Sequence, residues 1–463
     1  MPRSQRFDTS VPTVLVRLDP NPFHHGTLGA ARSLGRAGIP VHAVIESTTS
    51  PVARSRHVHS VRARRATDPP GELVALLHRI ADELTDGRTR GRTDGRTAGG
   101  TGDRTDAPGD GAPDAPSPPL LVLPLDDVSA LALARRRADL SPRFLLPEQS
   151  EEQLLRVADK ASLAGTCADL GLPHPRTELP AGADEAAAMA WSIGLPVVAK
   201  WSRPWLLPAG AGLRSTSIVR SLAEVRELYA RTPEAGSRLL LQELLPAGRD
   251  LDWFFHGYVD SAGRCATGAT GRKERSWPDG AGLTAVGRWT VNPALDRTAR
   301  DLLDALGYRG VCDLDFRLDR STGAYHLLDF NPRPGAQFRL FADPSGLDVV
   351  RALHLDLTGR PVPPHSPAYG RRFVVENYTA LSVLASPRRR YATEPGAARR
   401  TEYAWWAADD PAPALAMGRA WLAHLLRKGL SVLRGVLGSG RTGPPAPPSA
   451  PPARSSSQQL TPR

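Results

Sequence analysis

Asp315, Asp329, Asn331 and Arg333 are the residues whose types and spacing most directly suggest chemistry, and all four lie in the stretch GVCDLDFRLDRSTGAYHLLDFNPRPG. Asp315 and Asp329 are 14 residues apart, with the turn-like Asp319–Ala324 (DRSTGA) between them, so they can face each other across a hairpin. Asp329 and Asn331 are two apart, so their side chains leave the same side of one strand. Two carboxylates and an amide oxygen on one face make a hard, all-oxygen donor set. Such a set suits one or two Mg²⁺ ions bridging triphosphate oxygens. Arg333, two residues further on, can pair with a phosphoryl oxygen through a charge-assisted fork. Each pair alone would read as solvated hairpin charge. It is the residues upstream that change the balance.

Only four of the 59 basic residues are lysines: Lys160, Lys200, Lys273 and Lys428. A chain that writes Arg almost everywhere marks with Lys the places where a compact ammonium is needed. Lys160 follows Asp159 at the head of a helical pattern, and Lys200 closes the apolar run PVVAK. Both are positions from which a point charge can sit between phosphate oxygens. Further along, LLLQELLPAG carries Gln242 and Glu243, and GRKERSWPDGAGLTAVG carries Arg272 and Lys273.

Taken in order, these elements resemble the ATP-grasp superfamily from about Pro12 to Pro363. Within it they look most like the carbamoyl-phosphate-synthase-like and D-aspartate-ligase-like carboxylate–amine ligases. The opening TLGAARSLGRAGIPV and SRHVHS resemble the pre-ATP-grasp domain of those enzymes. The resemblance implies that Lys160 and Lys200 bind phosphates. It puts Gln242, Glu243 and the Leu245 backbone at the adenine and Asp250 at the ribose. Asp315, Asp329 and Asn331 would hold Mg²⁺, with Mn²⁺ as a substitute. Arg333 would neutralise the transferring phosphoryl group, and Arg272 and Lys273 would lie where an acyl phosphate or substrate carboxylate sits. Two departures stand out: both acidic metal ligands are Asp where the family usually has Glu, and the phosphate-covering loop Pro204–Ser217 has fewer glycines than expected.

The elements that would position these residues read as α/β and α+β. Thr13–Leu18 and Pro40–Ile45 are strand-like, with a helix ending at Gly38 between them. Leu73–Leu84 is a well-patterned helix, Leu120–Pro124 a strand with Asp126 and Asp127 at its carboxyl end, and Val128–Asp139 a helix. This predicts a doubly wound pre-ATP-grasp domain with a parallel sheet over 1–149. It is interrupted at 85–119 by five Arg, six Asp and no large apolar side chain, read as a disordered insertion. A two-lobed ATP-grasp domain of mixed and antiparallel sheets follows over 150–365. Its predicted strands are Val197–Lys200, Leu239–Glu243, Trp253–Val259, Val311–Leu318 and Tyr325–Phe330, with a helix over Arg297–Leu306. A C-terminal extension over 366–414 contains a strand at Arg371–Tyr378, and a disordered tail is expected over 438–463.

Between them Leu415–Leu437 forms a basic amphipathic helix whose apolar residues recur at helical spacing. Docking on the body or on a second subunit is its favoured role, with a membrane interface as the weaker alternative. The formal charge of +11 is concentrated here. Residues 411–463 carry seven basic residues and no acid, leaving 11 − 7 = +4 for the rest. That is no footprint for nucleic acid. Cys167, Cys265 and Cys312 are too far apart in sequence for a zinc knuckle or a disulfide framework. Neither a signal peptide nor a membrane span is apparent, so a cytoplasmic protein is expected. The leading functional expectation is an ATP- and Mg²⁺-dependent ligase joining a small-molecule carboxylate to an amine through an acyl phosphate, with a homodimer as one open assembly. The competing expectation is a degenerate or regulatory ATP-binding module.

Overall fold

The computed structural model describes residues 7–65, 68–94, 119–278, 282–385 and 400–439, with side chains for all of these but 70, 87–94 and 428–439. All three sheets belong to the unit Met1–Met417; in the second unit, Gly418–Arg463, the described residues are helical up to Ser439. Among the described residues no helix is long and apolar enough to cross a membrane.

The first sheet is built from β1 (Thr13–Val16), β2 (Val41–Ile45), β3 (Ser60–Ala63), β4 (Leu120–Pro124) and β5 (Phe144–Leu145). All pairings are parallel, in the order β3-β2-β1-β4-β5. TVLV, VHAVI and LLVLP are fully buried, as strands covered on both faces must be. The chain order reverses between β1 and β4, so the crevice of this sheet opens at their carboxyl ends. Asp126 closes that end. It caps the helix Asp127–Arg135 by accepting from Ser129 N, and it accepts from Leu18 N and Asp19 N, each at 2.6 Å.

The sequence expectation differs from the structure at several element ends. The helix expected over Leu73–Leu84 extends over Pro70–Asp94, ten residues into the segment read as disordered; residues 95–118 lie outside the described residues. Once nucleated, a helix adds one hydrogen bond per residue fixed, so polar composition alone does not stop it. β3 has too little apolar alternation to be read from sequence, and exists because β2 offers it a parallel ladder.

β6 (Thr177–Glu178), β7 (Val197–Trp201), β8 (Thr216–Val219) and β9 (Leu239–Glu243) form an antiparallel sheet in the order β6-β9-β7-β8. Alternation along β7 and β9 sends Val197, Ala199, Trp201, Leu239 and Leu241 into a core with the helices Ala183–Ile193 and Leu222–Ala230. Lys200 and Gln242 are left on the opposite face. The third sheet contains β10 (Asp252–Val259), β11 (Cys265–Trp277), β12 (Leu283–Trp289), β13 (Gly310–Leu318), β14 (Tyr325–Asn331), β15 (Arg372–Val374) and β16 (Thr401–Tyr403). Its order is β14-β13-β10-β11-β12-β15-β16. Trp253, Phe255, Leu314, Phe316 and Phe330 pack to one side, against the helix Pro293–Ala305.

The strand expected over Arg371–Tyr378 stops at Val374, and Glu376–Ala385 is helical. The Glu376 carboxylate there accepts from the backbone N–H groups of Trp405 and Trp406. Residues 366–414 thus supply the last two strands of the third sheet rather than running beside it. A shared core ties this sheet to the first one. Leu34 and Val41 pack in one cluster with Tyr258, Val311 and Leu353.

Candidate active site

The β13–β14 hairpin sets Asp315 directly opposite Asp329 and Asp313 opposite Asn331. The register slips between Asp315 and Phe316, so Leu328 is an extra residue on β14. A bulge frees a backbone group from the ladder, and the Leu328 carbonyl accepts from Lys200 Nζ at 3.0 Å. Lys200 therefore reaches from the four-stranded sheet to the metal-type hairpin through a feature that no spacing rule reveals.

Lys160 reaches the same hairpin from the side. Asp159, 1% exposed, caps the helix Lys160–Asp169 by accepting from Ala161 N at 3.0 Å and Ser162 N at 3.4 Å. The Ser202 hydroxyl donates to Asp159, and Arg203 pairs with it at 2.6 Å. Lys160 N donates to Ser202 O at 2.9 Å, which locks the start of the helix to the end of β7. So fixed, the Lys160 ammonium pairs with Asp329, while Lys273 Nζ lies 2.8 Å from Asp315 Oδ1. Arg333 is held by three neighbours. Its Nη2 donates to Asn331 Oδ1 at 3.0 Å, its Nε is 3.3 Å from Asp127 Oδ1, and its Nη1 is 3.7 Å from Asp313 Oδ2.

This charge pattern separates the two facing carboxylates. Burial alone would raise Asp329, but the Lys160 and Lys200 ammoniums outweigh it and hold the group below its ordinary value. Burial raises Asp315; Lys273 opposes this only in part, and Asp313 adds to it. Burial also pushes Lys200 down to about 8, with Lys160 adding to the effect and Asp329 and Asp315 opposing it. For Lys273 the partner wins: burial lowers it, yet the Asp315 ion pair leaves it raised.

Other expected site residues meet mixed surroundings. Gln242 lies on the Lys200 side of the sheet, and its Nε2 donates to Thr177 Oγ1 at 2.9 Å. Glu243, the next residue, is exposed on the other side. The Leu245 carbonyl accepts from Arg317 Nη1 at 3.3 Å. Asp250 is the one non-glycine among the described residues with a left-handed backbone, φ 65°, and it pairs with Arg272 at 3.3 Å and Arg249 at 3.5 Å.

Arg272 and Lys273 cannot both face the site, because successive side chains on β11 point to opposite faces. Lys273 meets Asp315. Arg272 instead lies 6.0 Å from the Trp253 ring and pairs with Asp250. Three residues without a role in the sequence expectation join the site: Asp313, His256 beside it, and Asp127. Asp127 carried a faint signal, standing at the carboxyl end of a parallel strand. Asp313 and His256 carried none.

Among the described residues no three His, Cys, Asp or Glu side chains converge as a metal cage. Two carboxylates and an amide oxygen fit instead a Mg²⁺ ion that arrives with phosphate oxygens, which complete its coordination. The loop Pro204–Ser217 holds Gly210 at φ 88° and Gly212 at φ 70°, so the few glycines it has stand where a left-handed backbone requires them.

Comparison with solved structures bears on the architecture. An ADP complex of N5-carboxyaminoimidazole ribonucleotide synthetase superposes with a TM-score of 0.53 at 12% identity, over 79% of this chain and 81% of that one. The biotin carboxylase domain of Hydrogenobacter thermophilus 2-oxoglutarate carboxylase, in complex with MgADP, ADP and bicarbonate, superposes with a TM-score of 0.51 at 16% identity, over 78% and 72%. The fold is ATP-grasp. At these identities the likeness concerns the fold alone.

The sequence of this chain is 26% identical over 218 residues to the N-terminal section of carbamoyl phosphate synthase large chain from Methanopyrus kandleri, 44% of this chain and 36% of the relative. It is 30% identical over 136 residues to the carbamoyl phosphate synthase large chain of Deinococcus radiodurans, 28% and 12% respectively. The chain thus matches little more than a third, at most, of the length of these curated relatives. No family model matches it.

Proposed function

We propose that this chain is an ATP-dependent ligase that activates a carboxylate as an acyl phosphate and transfers the acyl group to an amine. One observation carries the reading: Asp315 and Asp329 face each other on β13 and β14, and the three ammonium groups Lys160, Lys200 and Lys273 converge on that hairpin from three separate elements. Burying so many charges costs desolvation free energy that their mutual pairing offsets only in part, and such a mixed set can exchange its internal partners for a polyanion and its counter-cation. ATP with Mg²⁺ is such a pair. The curated relatives and the ADP-bound structural neighbours support the same reading.

The residues have distinct tasks in it. Asp315, Asp329 and Asn331 would hold Mg²⁺, which supplies charge neutralisation at the β- and γ-phosphates. Lys160 and Lys200 bind phosphate oxygens, exchanging their contacts with Asp329 and Leu328 O for the nucleotide. A substrate carboxylate oxygen attacks the γ-phosphorus, and the bond to the β-bridging oxygen breaks to release ADP. Arg333 stabilises charge on the transferring group. Lys273, the member of its pair that faces Asp315, orients the carboxylate and then the acyl phosphate. An amine attacks the acyl carbon and phosphate leaves. Asp127, at the carboxyl end of β4 and against Arg333, brings the crevice of the first sheet to this point and suits the amine.

The alternative, a degenerate or regulatory module, would keep nucleotide binding without turnover. Phosphate release is therefore the test, with ATP, Mg²⁺ and panels of amino acids and amines supplied singly and in pairs. Release that requires both a carboxylate and an amine supports the ligase. MgADP binding with no release for any pair would favour the regulatory module.

A further inference from the structure

His256 and Asp313 form a buried pair beside the metal-type residues, on the same face of the sheet. They are Cα partners on β10 and β13, and His256 Nε2 lies 3.0 Å from Asp313 Oδ1. The His256 side chain is 0% exposed and that of Asp313 7%. On its far side the imidazole is packed by the rings of Phe254, centroid distance 5.4 Å, and Phe341, 5.2 Å. It is therefore wedged between the aromatic core and one oxygen of Asp313.

The other oxygen of Asp313 faces the site. Asn331 Nδ2 donates to Asp313 Oδ2 at 3.4 Å and to Asp313 O at 3.4 Å, and Arg333 Nη1 is 3.7 Å from Oδ2. A side-chain amide has a donor end and an acceptor end. A carboxylate and a carbonyl at Nδ2 turn the acceptor Oδ1 to the site, where it accepts from Arg333 Nη2 at 3.0 Å and keeps a second lone pair for a metal ion. The loop that carries Arg333 rests on the same pair. A Cβ on Gly335 would lie 2.2 Å from His256 Cε1 and 2.6 Å from Asp313 Cγ, so the backbone there is seated against both side chains.

We infer that His256 and Asp313 are a positioning pair: Asp313 fixes which end of the Asn331 amide meets the metal and where the Arg333 loop lies, and His256 holds Asp313 in place. Neither residue touches metal or phosphate. This rests on the ATP–Mg²⁺ reading of the site and adds to it the part that selects the Asn331 orientation. Residues that orient metal ligands typically contribute about 10- to 100-fold to metal affinity.

The test is calorimetric ADP binding by the full-length chain, measured once with saturating Mg²⁺ and once with EDTA, beside its thermal midpoint. The variants are His256→Ala, His256→Gln, whose amide Nε2 can reach the position of the imidazole nitrogen, and Asp313→Asn, which preserves volume. The expected result is that His256→Ala weakens MgADP binding about 10-fold or more while metal-free ADP binding stays at parental affinity, and that His256→Gln recovers most of the loss. If His256→Ala is too unstable to purify, Asp313→Asn carries the same expectation without altering the packing. Parental MgADP affinity in both His256→Ala and Asp313→Asn would overturn the inference. So would an equal fall in both ADP affinities with a lowered midpoint, which would mark the pair as purely structural. A parent chain that binds no MgADP would fail the nucleotide reading itself, and this inference with it.

Discussion

If Lys200 holds phosphate as proposed, its lowered pKa makes nucleotide affinity pH-dependent in a calculable direction. Burial brings its ammonium down to about 8, and the nearby Lys160 charge adds to this. If only the ammonium form of Lys200 holds phosphate, the apparent affinity scales with the protonated fraction. That fraction is about 0.9 at pH 7 and about 0.1 at pH 9 for a group titrating at 8. ADP affinity should therefore fall about 10-fold between pH 7 and pH 9, or roughly 1.4 kcal/mol. The sign follows from the ligand: bound phosphate favours the charged amine, so the complex keeps its proton over this range while the free site loses it. Fluorescence or calorimetric titration with ADP at fixed Mg²⁺ and ionic strength reads the slope. Lys200→Arg is the control, because a guanidinium stays charged throughout. It should bind more weakly at pH 7, for want of a compact charge, and show little slope. A flat profile in the parent chain, or an undiminished slope in Lys200→Arg, would refute the assignment of Lys200 to the phosphates.

Asp329→Ala should lower phosphate release at least about 100-fold while the circular dichroism spectrum is unchanged, since it removes a proposed Mg²⁺ ligand rather than part of a core. Mg²⁺ alone should give no calorimetric signal up to millimolar concentration and should bind only with ADP present, because the protein offers too few converging oxygens to dehydrate the ion unaided. Replacing residues 95–118 with a Gly/Ser linker of about half that length should shift the stability measured in urea by about 1 kcal/mol or less, because the cost of closing a flexible loop depends weakly on its length. The C-terminal helix is tested by liposome sedimentation of the full chain beside a chain ending at Pro411. Equal recovery in the supernatant, with the shorter form less heat-stable, is expected if the helix docks on protein; salt-sensitive pelleting of the full chain alone would show a membrane interface.

What the sequence determined is what depends on residue type and short-range period. The rarity of lysine singled out Lys160, Lys200 and Lys273 before any strand was placed. The apolar runs of β1, β2 and β4 announced a buried parallel sheet because a fully covered strand needs apolar side chains on both faces. The 14-residue spacing brought Asp315 and Asp329 to facing strands of one hairpin, but the turn's own register, Leu318 with Tyr325 and Phe316 with Leu327, would put Leu328 opposite Asp315; the bulge at Leu328 sets Asp329 there instead. What only the tertiary structure decided depends on neighbours far along the chain. Strand alternation, applied to a strand whose partners were unknown, could not say which of Arg272 and Lys273 would meet Asp315. The bulge at Leu328 that presents a carbonyl to Lys200 arises from a register slip between two strands and leaves no mark in composition. Asp313 and His256 are 57 positions apart in the numbering, and they meet because β10 lies beside β13. A buried carboxylate acquires its role from what surrounds it, and those surroundings come from the long-range pairing of strands.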